Sequence, residues 1–254
     1  MAFTLYNAPQ STCSQRVRFV LNTKKLPFDE VKLNLLAGDQ LKPDYLKLNP
    51  NGVVPTLDHD GQIVIDSNVI TEYLDEVAPE ASFTPEDPVA RARMRTLMHF
   101  IDEMPAAAVR VPTFNLAFLP SFQKMGEQEF NAMAEAKPIR REFMKTMGQG
   151  GFSPAEMDAA LARLRRTYER MDREIANSGG PWLLGKDITL ADVAVMPALV
   201  RMDDLGLAGW RDLPRVVTWF NNIRAHQSFA PTFYPGSLLS ERFPHLRERQ
   251  PQRT

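Results

Sequence analysis

One cysteine, Cys13, is all the thiol chemistry the 254-residue chain carries, so it can form neither an internal disulfide nor a C-x-x-C redox pair. No stretch approaches the ~18 uninterrupted apolar residues of a membrane-spanning helix. The opening MAFTLYNAPQ lacks the basic start and long apolar core of a secretory leader. Charge of one sign is also missing: 30 Lys+Arg against 31 Asp+Glu give a formal charge of −1, with no global field for nucleic acid or an anionic membrane. There is no G-x-G-x-x-G, P-loop or G-x-S-x-G elbow. His59, His99, His226 and His245 are dispersed without zinc spacing, so no metal is expected. A cytoplasmic location, with neither nucleic acid nor membrane as partner, is the expectation.

What is present is an ordinary globular mixture, 44% hydrophobic and 24% charged, long enough for one to two domains at ~150 residues each. Residues 1–80 hold seven Lys/Arg against eleven Asp/Glu, a net −4, while the remainder is at +3. The same division appears in the periodicity. Phe3 to Tyr6 reads as a strand, Ser11 to Thr23 as a helix and Glu30 to Leu33 as a second strand, followed by a polar Asp39 to Leu46 stretch of uncertain type. Thr56 to Asp58 and Gln62 to Ile65 flank His59-Asp60-Gly61 as a hairpin. Ser67 then opens a helix carrying Val69, Ile70, Tyr73 and Leu74 on helical spacing. This βαβ(α)ββα order predicts a small mixed sheet flanked by helices. From Asp87 onward the pattern is helical: Ala90 to Met104, Ala155 to Ala176, Ala191 to Asp204 and Pro214 to Ala225. Pro79, Pro85 and Pro88 mark a join within residues 79–89, Pro112 to Phe152 has no clear assignment, and the polar end from Arg247 to Thr254 is expected to fray.

Chemistry-bearing residues gather in the first part. Ser11-Thr12-Cys13-Ser14 follows the first strand at a strand-to-helix turn, where free N–H groups and the helix dipole favour an anion. A hydroxyl there is a thiolate donor or a plain N-cap, and both readings stand. Cys13 is a candidate nucleophile or a small buried side chain. Asn49-Pro50-Asn51-Gly52-Val53-Val54-Pro55-Thr56 brackets a glycine with prolines; a cis Val54-Pro55 bond would turn the Val54 backbone toward a peptide-like ligand. Ser67 is a good N-cap, and the Asp66-Ser67 pair also suits the ammonium and carboxylate of a ligand. Thr189-Leu190-Ala191-Asp192 has capping-box spacing and reads as structural. The arginines between Arg163 and Arg173 are interleaved with acids, as on a solvated helix face.

Taken together and in this order, Ser11 to Arg18, Leu48 to Leu57, Asp66 to Leu74 and Ile188 to Val193 resemble the cytosolic glutathione transferase superfamily over nearly the whole chain. The resemblance implies an α/β thioredoxin-like N-terminal domain, residues 1–80, followed by an all-α domain, residues 89–254, in a homodimer. It implies glutathione as co-substrate, with Ser11 as the activating serine and Thr12 and Cys13 beside it. Val54 would meet the glutathione backbone next to a cis Pro55, Asp66 and Ser67 its γ-glutamyl end, and Gln40 its glycine carboxylate. Val53 stands where the family often has Gln or Lys. Ser-Thr-Cys is similar to the Ser-Ser-Cys of the zeta-class isomerases, in which Cys13 would assist, although Gln15 replaces the following tryptophan. The connection from Lys137-Pro138-Ile139-Arg140 to Gly150-Gly151-Phe152 resembles β-etherase-like members, which cleave lignin-derived β-aryl ethers with the glutathione thiolate. Met104, Phe114, Phe118 and Phe122 are the candidate wall of an apolar second-substrate pocket, or simply core. The expected activity is attack of the activated thiol on an aromatic electrophile. The alternatives are a zeta-like isomerase and a non-catalytic module binding a hydrophobic ligand or a partner.

Overall fold

The computed structural model describes residues 2–249. Phe3–Asn7 (β1) forms the centre of the sheet, with Phe3, Leu5 and Asn7 all turned inward. It pairs in parallel with Phe28–Lys32 (β2) and antiparallel with Thr56–His59 (β3), which pairs antiparallel with Gln62–Ile65 (β4), giving the order β2-β1-β3-β4. His59 faces Gln62 across a two-residue turn in which Asp60 and Gly61 both have positive φ, 51° and 84°. Those are the angles that suit the twist of a tight hairpin. Thr12–Thr23 (α1) connects β1 to β2. The polar stretch before β3 folds as a short 3₁₀ turn, Asp39–Leu41, and a helix, Pro43–Leu48 (α2).

The helix Ser67–Val77 (α3) is capped by Asp66 rather than by the expected Ser67. The Asp66 carboxylate accepts the Asn68 and Val69 N–H groups at 2.9 and 3.3 Å. A full negative charge gains more from the positive helix end than a hydroxyl does. Ser67 becomes the first helical residue, and its side chain turns inward.

After α3 the chain is helical: Pro88–Glu103 (α4), Pro105–Ala108 (α5), Arg110–Thr113 (α6), a π-helical turn at Phe114–Phe118, Leu119–Phe122 (α7), Glu127–Glu135 (α8) and Arg141–Met147 (α9). Pro154–Ser178 (α10), Leu190–Asp204 (α11), Pro214–Ala225 (α12), Phe229–Thr232 (α13) and Leu239–Arg242 (α14) follow. A 3₁₀ turn, Pro244–Arg249, closes the description; most of the end expected to fray, residues 250–254, lies outside the described residues. The unassigned Pro112 to Phe152 stretch is thus a series of helices of four to nine residues interrupted by Pro and Gly, too short to display a period. No helix among the described residues is long and apolar enough to cross a membrane.

One apolar core runs from the sheet through α1 and α3 into α4, α10, α11 and α12. The helix α11 is buried along almost its whole length. Its start is held by Asp192, which accepts the Thr189 N–H and hydroxyl at 2.9 Å each, the Leu183 N–H at 3.0 Å and the Trp219 indole N–H at 2.7 Å. Burial pushes the Asp192 carboxyl upward against those four donors. The capping-box reading of Thr189–Asp192 is therefore what the structure contains.

The join between α3 and α4 is fastened by a buried ion pair, Lys24 Nζ to Asp75 Oδ1 at 2.8 Å. Asp75 also accepts the Phe83 N–H at 2.9 Å and the Ser82 hydroxyl at 2.9 Å. Desolvation would raise this carboxyl, but Lys24 and the Phe83 N–H outweigh it and hold it below its ordinary value. Asp75→Ala, which strands the Lys24 ammonium, is expected to cost about 3–5 kcal/mol in a denaturant titration. Because the folded carboxyl is depressed, the stabilisation is complete above the unfolded value near ~3.9 and disappears as the pH falls through the lower folded value.

Candidate active site

The sequence places Ser11 where β1 hands over to α1, and the structure makes it the N-cap: its Oγ accepts the Ser14 N–H at 3.3 Å. That bond uses an oxygen lone pair and leaves the Ser11 hydroxyl proton free to donate. The two readings of this serine therefore coexist. Thr12 and Cys13 form the first turn of α1, whose early N–H groups have no partner within the helix. All three side chains line a cavity of about 220 Å³ between the sheet domain and the helices. Cys13 is a free, half-buried thiol.

On the sheet side the cavity is bounded by Leu35, Leu36, Gln40 and the loop Asn51 to Val54. The Val54-Pro55 bond is cis. Just before it, the Val53 carbonyl is pinned by the Tyr45 hydroxyl at 2.6 Å and the Asn49 amide at 3.0 Å. The Gln40 side chain is buried, donates to the Leu35 carbonyl at 3.4 Å and leaves its Oε1 without a partner among the described residues. An orphaned acceptor beside a pinned backbone loop and a free hydroxyl fits a peptide-like thiol ligand.

Asp66, Ser67 and Pro55 do not line this cavity. Asp66 is exposed and has a φ of 74°. Ser67 accepts from buried Arg16 Nη1 at 3.3 Å, and the same nitrogen reaches Asn68 at 3.1 Å and Asp102 at 3.0 Å. The start of α3 is thereby tied to α1 and α4.

Three of the four proposed apolar residues fall on the cavity wall. Phe114, Phe118 and Phe122 line it, with edge-to-face packing between Phe114 and Phe118 at 5.1 Å. The π-helical turn, by changing the angular step, sets Phe114 and Phe118 on this wall. Met104 does not line it. Pro105 breaks the helix after Glu103, and Met104, at φ −100° and ψ −80°, places its sulfur 3.9 Å from Arg163 on α10. Gly151 is required behind this wall: its φ is 80°, and a Cβ there would sit 2.5 Å from Leu119. The Asn115 side chain fastens the backbone of Phe152 through two hydrogen bonds, at 2.8 and 2.7 Å.

Sequence reasoning missed the cations. Arg110, Lys137, Arg140, Arg201 and Arg242 all line the cavity, and among the described residues no Asp or Glu does. Arg201 is committed internally: it donates to Thr113 at 3.2 Å and to the Gln10 carbonyl. Arg242 bonds the Gln10 and Asn34 side chains at 3.3 and 3.2 Å. Desolvation, followed by the like charge of Arg140, lowers Arg110 to about 10. Burial lowers Lys137 and Arg140 as well. Arg110 was visible as the one charge between Met104 and Asn115, but nothing in the sequence says which way it turns.

Family models for the glutathione S-transferase N-terminal domain and C-terminal domain match residues 5–82 and 154–222. A maleylacetoacetate isomerase of Pseudomonas aeruginosa is 31% identical over 233 residues, 89% of this chain and 92% of that protein. Protein LigF of a Sphingobium species is 27% identical over 92% of this chain and 93% of its own. The crystal structure of the β-etherase LigF superposes with a TM-score of 0.82 at 26% identity, covering 92% of this chain and 99% of that one. FtsZ-localized protein A of Caulobacter vibrioides is 24% identical over 96% of this chain and 93% of its own. A thioredoxin-like sheet domain followed by a helical one, with a cavity between them, is the glutathione transferase architecture. The chain belongs to the glutathione S-transferase family.

The cavity depends on one close contact between its walls. Gly52 has a φ of 60°, and a Cβ there would lie 3.0 Å from both Pro138 and Leu41. Gly61 also has positive φ but open space around it. Gly61→Ala is thus expected to lose about 1–2 kcal/mol for backbone conformation alone, and Gly52→Ala clearly more; paired denaturant titrations measure the difference.

Proposed function

We propose that this chain uses glutathione as co-substrate and activates its thiol for attack on an aromatic electrophile, with β-aryl ethers as the substrate class. The observation carrying this reading is the placement of the Ser11 hydroxyl at one side of a cavity whose other side is Phe114, Phe118 and Phe122. The likeness to the β-etherase LigF, over 92% of this chain, supports the same class. Bound there, glutathione supplies a thiolate: one carbon–sulfur bond forms as one carbon–oxygen bond breaks, and the electron pair leaves with the aryl oxide.

The protein's work is to hold the anion. A thiol with a pKa near ~9 is about 1% ionised at pH 7, and lowering it by two units corresponds to roughly 2.7 kcal/mol. In this reading the Ser11 hydroxyl and the N-terminal turn of α1 supply that preference, Val54 and Gln40 seat the peptide, and Asp66 and Ser67 take its γ-glutamyl end from beyond the cavity. A homodimer in the cytoplasm belongs to the same reading; Val69 on α3 and Val89 on α4 are strongly exposed aliphatic side chains available to a second copy, at 54% and 68%.

A zeta-like isomerase is the second reading, favoured by the likeness to a maleylacetoacetate isomerase and by Cys13 on the cavity wall. Glutathione titrated into the protein by calorimetry is expected to bind one per chain. Ser11→Ala is expected to keep binding but lose the ultraviolet absorbance of the bound thiolate and cut ether cleavage about 10–100-fold. Cys13→Ala is expected to leave ether cleavage within a few-fold; loss of a maleylacetoacetate isomerase activity in Cys13→Ala with Ser11→Ala unaffected reverses the order of the two readings.

A further inference from the structure

Three cations on the cavity wall have no bonded anion among the described residues. The side chains of Arg110 and Lys137 make no hydrogen bond or ion pair with any described residue. Arg140 reaches only its neighbour's carbonyl, that of Ile139, at 3.5 Å. All are half-buried, and among the described residues no carboxylate lines the cavity. Removing such charges from water is costly unless an opposite charge arrives. Among the described residues the Asp102 carboxylate acts on Arg110 without bonding it, being held by Arg16 and Asn68, so the contacting anion is left for a ligand to supply.

Position narrows what that ligand is. Arg110 on α6 lies four residues before Phe114 and Arg140, the N-cap of α9, four before Met144, and all four side chains line the cavity. Pro138, between Lys137 and Arg140, packs close to Gly52, which brings the α8–α9 connection to the rim of the cavity. Both arginines line the same cavity as Cys13 at the start of α1, beside which the electrophile would have to sit. Two cations therefore share a pocket with phenylalanine and methionine side chains.

We infer that Arg110 and Arg140 form an anion subsite for the second substrate, so that the electrophile is an aromatic compound bearing a carboxylate or phenolate, not a neutral one. This deepens the reading of the preceding subsection and rests on it for the word electrophile. Anion recognition by the pair stands on its own, because it needs no glutathione. Charge-assisted hydrogen bonds to a planar carboxylate are the strong and geometrically selective kind that guanidinium groups provide.

The test compares 3-nitrobenzoate with its methyl ester, two unreactive probes of one shape that differ in charge, titrated by calorimetry into the full-length protein without glutathione. The acid is expected to bind about tenfold or more tightly than the ester. Arg110→Met and Arg140→Met are each expected to reduce that acid-to-ester ratio several-fold, and Arg110→Lys to restore part of it. Equal binding of acid and ester by the unaltered protein, or a fall in both by the same factor in the Met variants, overturns the inference. Fumarate binding more tightly than 3-nitrobenzoate overturns its aromatic half. Preference for the acid in a protein that does not bind glutathione overturns the preceding reading alone and leaves the anion subsite standing.

Discussion

Everything in the cavity depends on the burial of one guanidinium. Arg18 on α1 is 1% exposed and makes four hydrogen bonds to three acceptors: the Asn7 side chain at 2.6 Å, the Pro9 carbonyl at 2.8 Å, and the Thr232 carbonyl from two nitrogens at 3.1 and 3.0 Å. It thereby joins the end of β1, the turn that presents Ser11, and the short helix α13 near the other end of the chain. Burial lowers its affinity for the proton while the Tyr234 hydroxyl and Glu30 oppose that. Such a charge is tolerated only because its donors are nearly all used. Arg16, two residues earlier and on a different face of the helix, ties α1 to α3 and α4 in the same way. Of the two charges in the Arg16-Val17-Arg18 sequence, then, each seats α1 against a different part of the molecule, and Val17 between them is fully buried.

Asp192 does the corresponding work for the helical half. It gathers donors from the loop before α11, from the first turn of α11 and from Trp219 on α12. Two buried charges of opposite sign thus organise the two halves, and α11 packs directly on α1 where they meet. The cavity lies beside that contact, where rigid backbone on both sides can hold a hydroxyl and an aromatic wall at a fixed distance.

How much of this could be read in the chain follows from how local each signal is. The β3–β4 hairpin was legible because Asp60-Gly61 declares its own turn, and α10 and α12 because their periods run for many residues. Ser11 was legible as a cap for the same reason. Between Pro112 and Phe152 the helices are shorter than the window needed to see a period, so their existence and their orientation were both hidden. Asp66 and Ser67 compete for one cap, and composition alone does not say which wins; the inward pull of Arg16 on Ser67 does. Met104 looked like a wall residue because it follows an apolar helix, but the break at Pro105 turns it to α10. The unpaired cations were the least legible, since Lys137 and Arg140 meet Arg110 only through a fold in the chain that no nearby residue announces.

The contact between Gly52 and Pro138 makes the two halves of the molecule a matched pair. A residue on the loop before the cis Pro55 and one on the α8–α9 connection, 86 positions apart, share one packing gap, in which a Cβ at position 52 would lie 3.0 Å from the Pro138 ring. A connection transplanted from a relative to change substrate preference therefore carries a constraint on the opposite domain, because anything bulkier than glycine at position 52 props the cavity open from its far side. Chimeras in which the loop and the connection come from the same parent keep that gap closed, whereas exchanging either piece alone changes the shape of the pocket before any wall residue has been altered.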